Sequence, residues 1–418
     1  MITNDRDTAY DALPGPAAAL YRQLGACPTG WIDADGLAAL TDLDAPAGES
    51  LATVLVNAGL LHLADKGFAL SPDGHLHALV KAEDCEPDEH EINSAGVDRL
   101  FAFLNDAASA ADRLITPSHQ SIWDRVRPAE PTGEPPFPLE EAAALDWLEQ
   151  RLPVYMDVIR FAFADRRYGL VCDLAHLLWP LWLRRRPGQR TEALTLGLAA
   201  AYLTRSDSAI GRMFTTLAGT VRGTSPVATY WYDRRAALHY EKTGDTMGLA
   251  QALNGIGKSL LGAGLLDQAE RHFRDAEQLR TGLGYVRGTA LSRQGRGLVA
   301  LARGDADTAA DLLISAHDLL LGVGDVYDAG LTLAYHAEAL AKLGDIDDAL
   351  AALVTASTAL RQASSVYGEA TVWEIRARIL AAAGCNEQAQ TARDQAVTLF
   401  ERVDPSSAAR VRQAIAMG

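Results

Sequence analysis

Residues 253–276 read LNGIGKSLLGAGLLDQAERHFRDA, and this stretch contains two apolar stripes at helical spacing. Gly264 lies between the stripes, where a glycine typically ends a helix. The stretch therefore predicts two antiparallel helices joined by a tight turn, with small residues where the helices cross closely. The first stripe comprises Leu253, Ile256, Gly257 and Leu260, and the second comprises Ala269, Phe273 and Ala276.

The same pattern recurs three more times at a spacing of 40 residues, without an insertion. Its small–large–small order resembles the tetratricopeptide (TPR) pattern, lengthened from the usual roughly 34 residues by longer second helices. The recurrence predicts an all-α, TPR-like α-solenoid. A further column, Gly244, Gly284, Gly324 and Ser364, marks the helix stop between units. The small-residue columns within the units are Ala269, Ala309, Ala349 and Ala389; Ala276, Ala316, Ala356 and Ala396; Gly264, Gly304, Gly344 and Gly384; and Gly257, Gly297, Ala337 and Ala377.

The front of the chain has a different pattern, in which three short helix candidates precede a hairpin that alternates at period two. Asp33 is placed to cap the second helix. Three helices and a hairpin are the element order of a winged helix. The predicted elements are Ala17–Gly25, Ala34–Leu43, Glu49–Gly59 and the hairpin Leu61–Leu70, then an acidic loop at Glu83–Glu91, a helix at Ser94–Ile115 and a proline-rich linker at Pro128–Pro138.

These patterns divide the chain into five parts. Residues 1–90 are predicted to form a winged-helix-like module, and 91–138 a linker helix followed by the proline-rich linker. Early helical hairpins occupy 139–206, with one of them formed by Tyr168–Arg185 and Gln189–Thr204. The TPR-like repeats fill 207–405, and 406–418 form a C-terminal cap.

The chain is acidic, and most of the acidity lies at the front. It carries 38 Lys and Arg against 54 Asp and Glu, a net charge of −16, and the first 100 residues hold 5 basic and 17 acidic side chains. Because nucleic acids bind largely through Lys and Arg contacts to phosphate, we do not expect a nucleic-acid partner. The predicted third helix of the module offers Glu49, Ser50, Thr53 and Asn57, and no Lys or Arg.

The sequence also argues against membrane insertion and secretion. The longest apolar stretches, Leu51–Leu63 and Leu170–Leu183, are shorter than the roughly 18–20 residues that a bilayer requires, and no signal sequence begins the chain. We therefore expect a cytoplasmic protein with no membrane partner. The cysteines, Cys27, Cys85, Cys172 and Cys385, are widely separated, which predicts neither a disulfide framework nor a zinc site.

Five short segments occur in the order known from one family of regulators: 13–25 (LPGPAAALYRQLG), 55–61 (LVNAGLL), 107–117 (AASAADRLITP), 144–150 (ALDWLEQ) and 177–180 (LLWP). In these segments the chain resembles the winged-helix and TPR region of actinobacterial AfsR-like regulators of the NB-ARC (STAND) class. The resemblance implies the sensor arm of a nucleotide-driven switch. The sequence lacks the phosphate-binding G-x-x-x-x-G-K-[ST] loop of the family's ATPase module, and no adjacent His-Asp pair follows the hairpin. We therefore expect no cofactor.

No catalytic or metal-binding residues are predicted. His75 and His77 lack a third ligand nearby and are expected to be solvent-exposed, and the acidic run 83–89 lacks the ligand spacing of a calcium loop. Gly255–Ser259 resembles a phosphate loop only superficially, because it lies inside a repeat helix. An enzyme with its site in the helical cavity remains an alternative, and it would require a deep pocket with two or more buried ionisable groups.

The concave groove of the solenoid is the predicted binding site. In TPR arrays the first helix of each pair lines this groove, and its amide, ammonium and aromatic side chains suit an extended peptide. We therefore expect a non-catalytic regulatory or scaffold protein with a peptide or protein partner. A DNA-binding regulator that acts through the winged helix is a further alternative. The predicted partner-binding residues are Phe214, Gln251, Asn254, Lys258, Gln294, Tyr335, Glu338, Glu374 and Arg378.

Two further clusters lie near the start of the array. The arginines Arg184, Arg185, Arg186 and Arg190 are expected to lie on a solvated loop, with docking of the acidic N-terminal module as the alternative. Six aromatic residues are expected to fill the core of the early hairpins or to form a ligand pocket, namely Trp179, Trp182, Tyr202, Tyr230, Trp231 and Tyr232.

Overall fold

The N-terminal module combines helices with a small antiparallel sheet. The computed structural model describes residues 3–115, 134–185, 188–222 and 225–416. Within the module, β1, β3 and β2 pair in that order, and Phe68 of the central strand lies opposite both Ile32 and Leu63. The three helices and the hairpin are confirmed, and β1 is an addition. The elements are α1 (Thr3–Asp11), α2 (Gly15–Ala26), β1 (Trp31–Ile32), α3 (Ala34–Thr41), α4 (Ala45–Asn57), β2 (His62–Ala64) and β3 (Gly67–Ala69).

Local side chains determine where these elements begin and turn. The carboxylate of Asp33 accepts a hydrogen bond from the Gly36 amide at 2.9 Å, which confirms the predicted cap of α3. Lys66 adopts a φ of 57° in the two-residue turn between β2 and β3. The outer face of α4 exposes Glu49, Thr53 and Asn57, so it presents no cation to a phosphate backbone.

Two helices that follow the sheet correct the predictions for residues 75–91. They are α5 (Pro72–Glu83) and α6 (Pro87–Ile115), so only residues 84–86 separate them and no acidic loop extends to Glu91. Arg22 donates to Glu89 at 2.5 Å, and this ion pair holds the start of α6 against α2. The predicted domain boundary at residue 90 therefore falls inside α6.

The two histidines on α5 are half-buried, and the expectation that they are solvent-exposed is wrong. His75 Nε2 lies 2.8 Å from the carbonyl oxygen of Cys27, and His77 Nδ1 lies 3.0 Å from the Tyr21 hydroxyl. The cause is local, since Ser71 caps a helix that begins at Pro72, and this helix directs both rings toward α2.

Five shorter helices connect the module to the regular repeats. They are α7 (Glu141–Gln150), α8 (Leu152–Ala164), α9 (Tyr168–Leu177), α10 (Trp179–Arg184) and α11 (Arg190–Leu203). The predicted pairing of α9 with α11 is confirmed, but Tyr168–Arg185 is not one helix. Pro180 lies in the first turn of a new helix, where its missing N–H is tolerated, and the chain changes direction there. The predicted linker up to residue 133 and the Arg186-Pro187 break lie outside the described residues.

The all-α solenoid is completed by five regular helix pairs and a terminal helix, as predicted. The pairs are α12 (Asp207–Val221) with α13 (Pro226–Thr243), α14 (Thr246–Gly262) with α15 (Leu266–Gly282), α16 (Val286–Arg303) with α17 (Ala306–Gly322), α18 (Val326–Leu343) with α19 (Ile346–Gln362), and α20 (Val366–Ala382) with α21 (Asn386–Val403), and α22 (Pro405–Ala416) follows.

The predicted small-residue columns lie where the helices touch or turn. All eight alanines of the two alanine columns are completely buried. The turn glycines have φ angles between 67° and 101°, and Ser364 adopts the same left-handed conformation with φ 50°. A Cβ atom at Gly257 would lie 2.8 Å from the ring of Phe273, so the two helices of this repeat could not pack as they do with a larger residue.

The module and the early helices share one hydrophobic core. The Tyr155 hydroxyl donates to the carbonyl oxygen of Leu104 at 2.9 Å, and Arg151 pairs with the helix-capping Asp33. The module is therefore fixed to the start of the array. Among the described residues, no helix is both long and apolar enough to cross a membrane.

Candidate functional site

A cavity of about 790 Å³ lies on the concave side of the repeat array. The first helices of neighbouring repeats contact one another, which places α12, α14, α16, α18 and α20 along this inner side. These helices form the wall, and residues 403–406, where α21 passes into α22, line one end. The cavity is continuous along these helices and partly open to solvent.

The short helix α10 closes the opposite side. Arg184 is buried, its Nη1 donates to the carbonyl oxygen of Ala363 at 3.1 Å, and its guanidinium lies 4.1 Å from the centre of the Tyr327 ring. Leu183 packs against the core of the α18–α20 repeats, and Trp179 faces the cavity. An early helix therefore spans the concave side and contacts repeats far along the chain.

These contacts correct the prediction of a solvated arginine loop. Arg184 is inside the protein, Arg185 pairs with Asp146 at 2.7 Å, and Arg190 lines the cavity. The physical reason is the break at Pro180, where a new helix begins and carries Arg184 to the repeats, while Arg185 faces α7. Arg186 lies outside the described residues.

The structure brings four of the nine predicted partner-binding residues together. Gln251, Lys258, Gln294 and Tyr335 all line the cavity. They come from three different repeats, and the contacts between the neighbouring first helices α14, α16 and α18 place them on one surface.

The other five predicted residues lie elsewhere. Asn254 is buried between helices, and its Oδ1 has no hydrogen-bond partner. Phe214 is buried in an aromatic cluster with Trp231 and Tyr232, with its ring centre 5.7 Å from that of Trp231. Glu338, Glu374 and Arg378 form an ion-pair network outside the cavity, in which Arg378 Nη2 lies 2.8 Å from Glu338 and Nη1 lies 3.1 Å from Glu374.

Of the six aromatic residues, Trp182 meets the expectation of a core position and Trp179 that of a pocket position, whereas three others meet neither. Trp182 is buried and donates its indole N–H to the carbonyl oxygen of Ala175 at 2.9 Å, whereas Trp179 lines the cavity. Tyr202, Tyr230 and Trp231 are exposed over 39–49 % of their surface and lie on the outside of the array.

Buried charges surround the cavity-lining side chains. The fully buried Arg280 donates to the carbonyl oxygen of Gly288 and to the Ser292 hydroxyl, each at 2.9 Å, and to the amide oxygen of Gln251. Burial lowers the pKa of Arg280 to about 10, since no carboxylate is paired with it. Gln294 donates to the Thr332 hydroxyl at 2.6 Å.

A second buried group is an arginine between two carboxylates. Arg287 donates to Asp325 at 2.5 Å and also to Asp328. Burial, and then the negative charge of Asp325, raise the pKa of Asp328 to about 6. Asp328 and Arg287 both face the cavity.

Lys258 differs from Arg280 and Arg287 because it has no hydrogen-bond or ion-pair partner among the described residues. Burial, and then the neighbouring Arg222, lower the pKa of its ammonium to about 8. The buried carboxylate of Asp233 lies 3.6 Å from Nη2 of Arg222, and burial raises the pKa of Asp233 to about 7. The cavity thus meets the condition of two or more buried ionisable groups set above for an enzyme.

Sequence reasoning missed several cavity residues that the repeat register contains. Met247, Arg287, Tyr327 and Tyr367 form a column at 40-residue spacing, and all four line the cavity. Inspection of this column could have found them. Nothing in the register could have found His176, because it reaches the cavity only through the irregular path of α9 and α10, whereas Trp179 was expected above as a core or pocket residue from its aromatic side chain.

Known proteins resemble the chain only in fold. No protein-family model matches the sequence, and no curated protein matches it. Aspartyl phosphate phosphatase F from Bacillus subtilis is 11 % identical at a TM-score of 0.47, over 97 % of this chain and 94 % of that one. BtubC from P. vanneervenii is 17 % identical at a TM-score of 0.42, over 51 % and 90 %. A STAND protein with a tetratricopeptide repeat sensor from Pyrococcus horikoshii is 12 % identical at a TM-score of 0.40, over 94 % and 65 %. These values assign no function.

Proposed function

We propose that the chain is a non-catalytic regulatory protein that binds a short peptide in the cavity of its repeat array. The observation that supports this proposal is the convergence of side chains from five first helices on one pocket of about 790 Å³. Pockets of roughly 300–1,000 Å³ hold small ligands, so a few-residue peptide fits better than a folded protein. Gln251 and Gln294 supply amide groups, and Tyr335 supplies an aromatic surface.

The N-terminal module supports a regulatory role in this proposal. It is attached through Arg151 and Asp33 to helices that continue into the cavity wall, so a change at α10 has a packed route to the module. The element order of a winged helix followed by TPR-like repeats is also that of the AfsR-like sensor region. We therefore propose a sensor arm whose module contacts a protein rather than DNA, because the exposed face of α4 carries no Lys or Arg.

The proposal is tested by filling the cavity. The full chain is immobilised and incubated with a pool of random hexapeptides, and the retained peptides are quantified by mass spectrometry. Leu291→Trp places a large side chain in the cavity, and Val354→Trp places the same side chain on the exposed surface of α19, where Val354 is 57 % exposed. We expect retention by the wild type and by Val354→Trp, and none by Leu291→Trp with unchanged helical content. Equal retention by all three proteins would contradict the proposal.

An enzyme that acts on a small molecule or peptide in the same cavity is the second candidate. It is favoured by Lys258 and Asp328, whose pKa values of about 8 and about 6 place both groups near neutrality, where acid–base catalysis is most effective. The two candidates differ in what happens to the peptides. Recovery of retained peptides unchanged in mass after long incubation supports binding alone, whereas new fragments or adducts that disappear in Lys258→Arg support the enzyme.

A further inference from the structure

We propose that the cavity contains an anion site at Lys258, which binds a carboxylate of the ligand. The inference rests on the proposed function and specifies the chemistry of the peptide that the cavity selects. The charge of the cavity contrasts with that of the chain, because a chain with a net charge of −16 lines this cavity with five Lys and Arg side chains and two carboxylates.

Four of the five cations already have partners. Arg287 is held by two aspartates, and Arg222 lies 3.6 Å from Asp233 and donates to the carbonyl oxygen of Gly255 at 3.3 Å. Arg190 donates to the carbonyl oxygen of Thr220 at 3.3 Å, and Arg212 donates to the Ser208 hydroxyl at 3.1 Å. Within the described residues, Lys258 alone among the five has neither a hydrogen bond nor an ion pair.

The carboxylates that line the cavity are not available to Lys258. Asp328 accepts from Arg287, and Asp404 accepts from the Ser406 hydroxyl at 2.5 Å and the Ser407 hydroxyl at 3.0 Å at the start of α22. The Lys258 ammonium is therefore half-buried beside Arg222, with no ion pair to either cavity-lining carboxylate, and the nearby buried Asp233 pairs with Arg222 instead. A buried cation is stabilised strongly by an anion that arrives with good geometry.

Gln251 adds a neutral donor to this site. It lies seven residues before Lys258 on α14, on the same face of the helix and about 10 Å away along its axis. Because Arg280 donates to the amide oxygen of Gln251, the amide nitrogen is the group left to face the cavity. A spacing of about 10 Å corresponds to three residues of an extended chain. The arrangement fits a peptide whose carboxylate binds Lys258 and whose backbone carbonyl binds Gln251, and it favours such a peptide over inorganic phosphate.

The test compares peptide pools that differ only in charge. Three hexapeptide pools are used: one with a free C-terminus and no Asp or Glu, one amidated with internal Asp or Glu, and one amidated without acidic residues. Inorganic phosphate is a fourth probe. Affinities are measured by fluorescence anisotropy for the wild type, Lys258→Met, Lys258→Arg and Lys342→Met, the last being an exposed lysine on α18.

We expect the wild type to bind an acidic pool roughly tenfold to hundredfold more tightly than the uncharged pool, as a charged hydrogen bond in a buried site implies. Lys258→Met should remove this preference, and Lys258→Arg and Lys342→Met should retain it. The free-carboxylate and internal-acid pools show which source of carboxylate is used. Equal affinity for acidic and uncharged pools would refute the anion site and leave the proposed function standing, as would phosphate binding as tightly as the acidic peptides. If no pool binds, and Leu291→Trp behaves as the wild type does, the proposed function itself fails.

Discussion

The regular repeats and the early helices differ in how their sequences determine structure. From α12 to α21 each helix pair copies the last, with buried alanines at the contacts and glycines at the turns. From α7 to α11 the helices vary in length. The shortest of them, α10, does not pair with its neighbours as the repeat helices do. The repeated helices therefore form the inner wall of the cavity, while the irregular helix α10 borders its other side. A binding site of this kind depends on both regions.

The strongest test of the repetitive region is a substitution at a helix contact. Gly257→Leu should lower the free energy of unfolding by about 3 kcal/mol, because even a Cβ atom would lie 2.8 Å from the buried Phe273 ring. Gly282→Ala is the matched control, since no atom lies within 4 Å of its added Cβ, and it should stabilise by up to about 1 kcal/mol. Urea denaturation measures both. Equal effects at the two glycines would show that the columns do not mark close packing.

The next test concerns Asp233, the buried carboxylate beside the cavity residue Arg222. The pKa of Asp233 is raised from 3.8 to about 7 by burial, so the folded state holds this proton more tightly than the unfolded state. The free energy of unfolding should therefore fall as the pH rises from about 4 to about 7. Asp233→Asn should reduce this fall and increase stability at pH 8 by about 2 kcal/mol, as judged by urea denaturation at several pH values. If the free energy of unfolding of Asp233→Asn depends on pH as that of the wild type does, groups other than Asp233 cause the dependence.

A smaller effect is expected from the irregular region. Arg184→Met removes a buried hydrogen bond to Ala363 and a cation–π contact to Tyr327, and it should cost about 1–2 kcal/mol. Arg185→Met, which breaks surface ion pairs to Asp146 and Glu149, should cost less than about 1 kcal/mol. Thermal unfolding compares the two. If Arg184→Met changes neither stability nor peptide affinity, α10 does not hold the cavity closed.

The sequence was sufficient for the repeat architecture because its contacts are local and periodic. Ala269, Gly264 and their equivalents lie as predicted, and four of nine predicted binding residues share one cavity. Asn254 and Phe214 were misplaced because helical periodicity cannot distinguish a groove-facing position from a buried one next to it. The position of Arg184 depends on contacts 143 and 179 residues away, with Tyr327 and Ala363, and no local pattern encodes such contacts.

Hydrogen exchange with a bound peptide tests the central claim most directly. The full chain is compared with and without the tightest-binding hexapeptide, and amide protection is located by proteolysis and mass spectrometry. We expect new protection in α10, α12, α14, α16, α18 and α20, which contribute side chains to the cavity, and little change in α15, α17 and α19. Protection confined to those second helices, or to α4 of the N-terminal module, would contradict it.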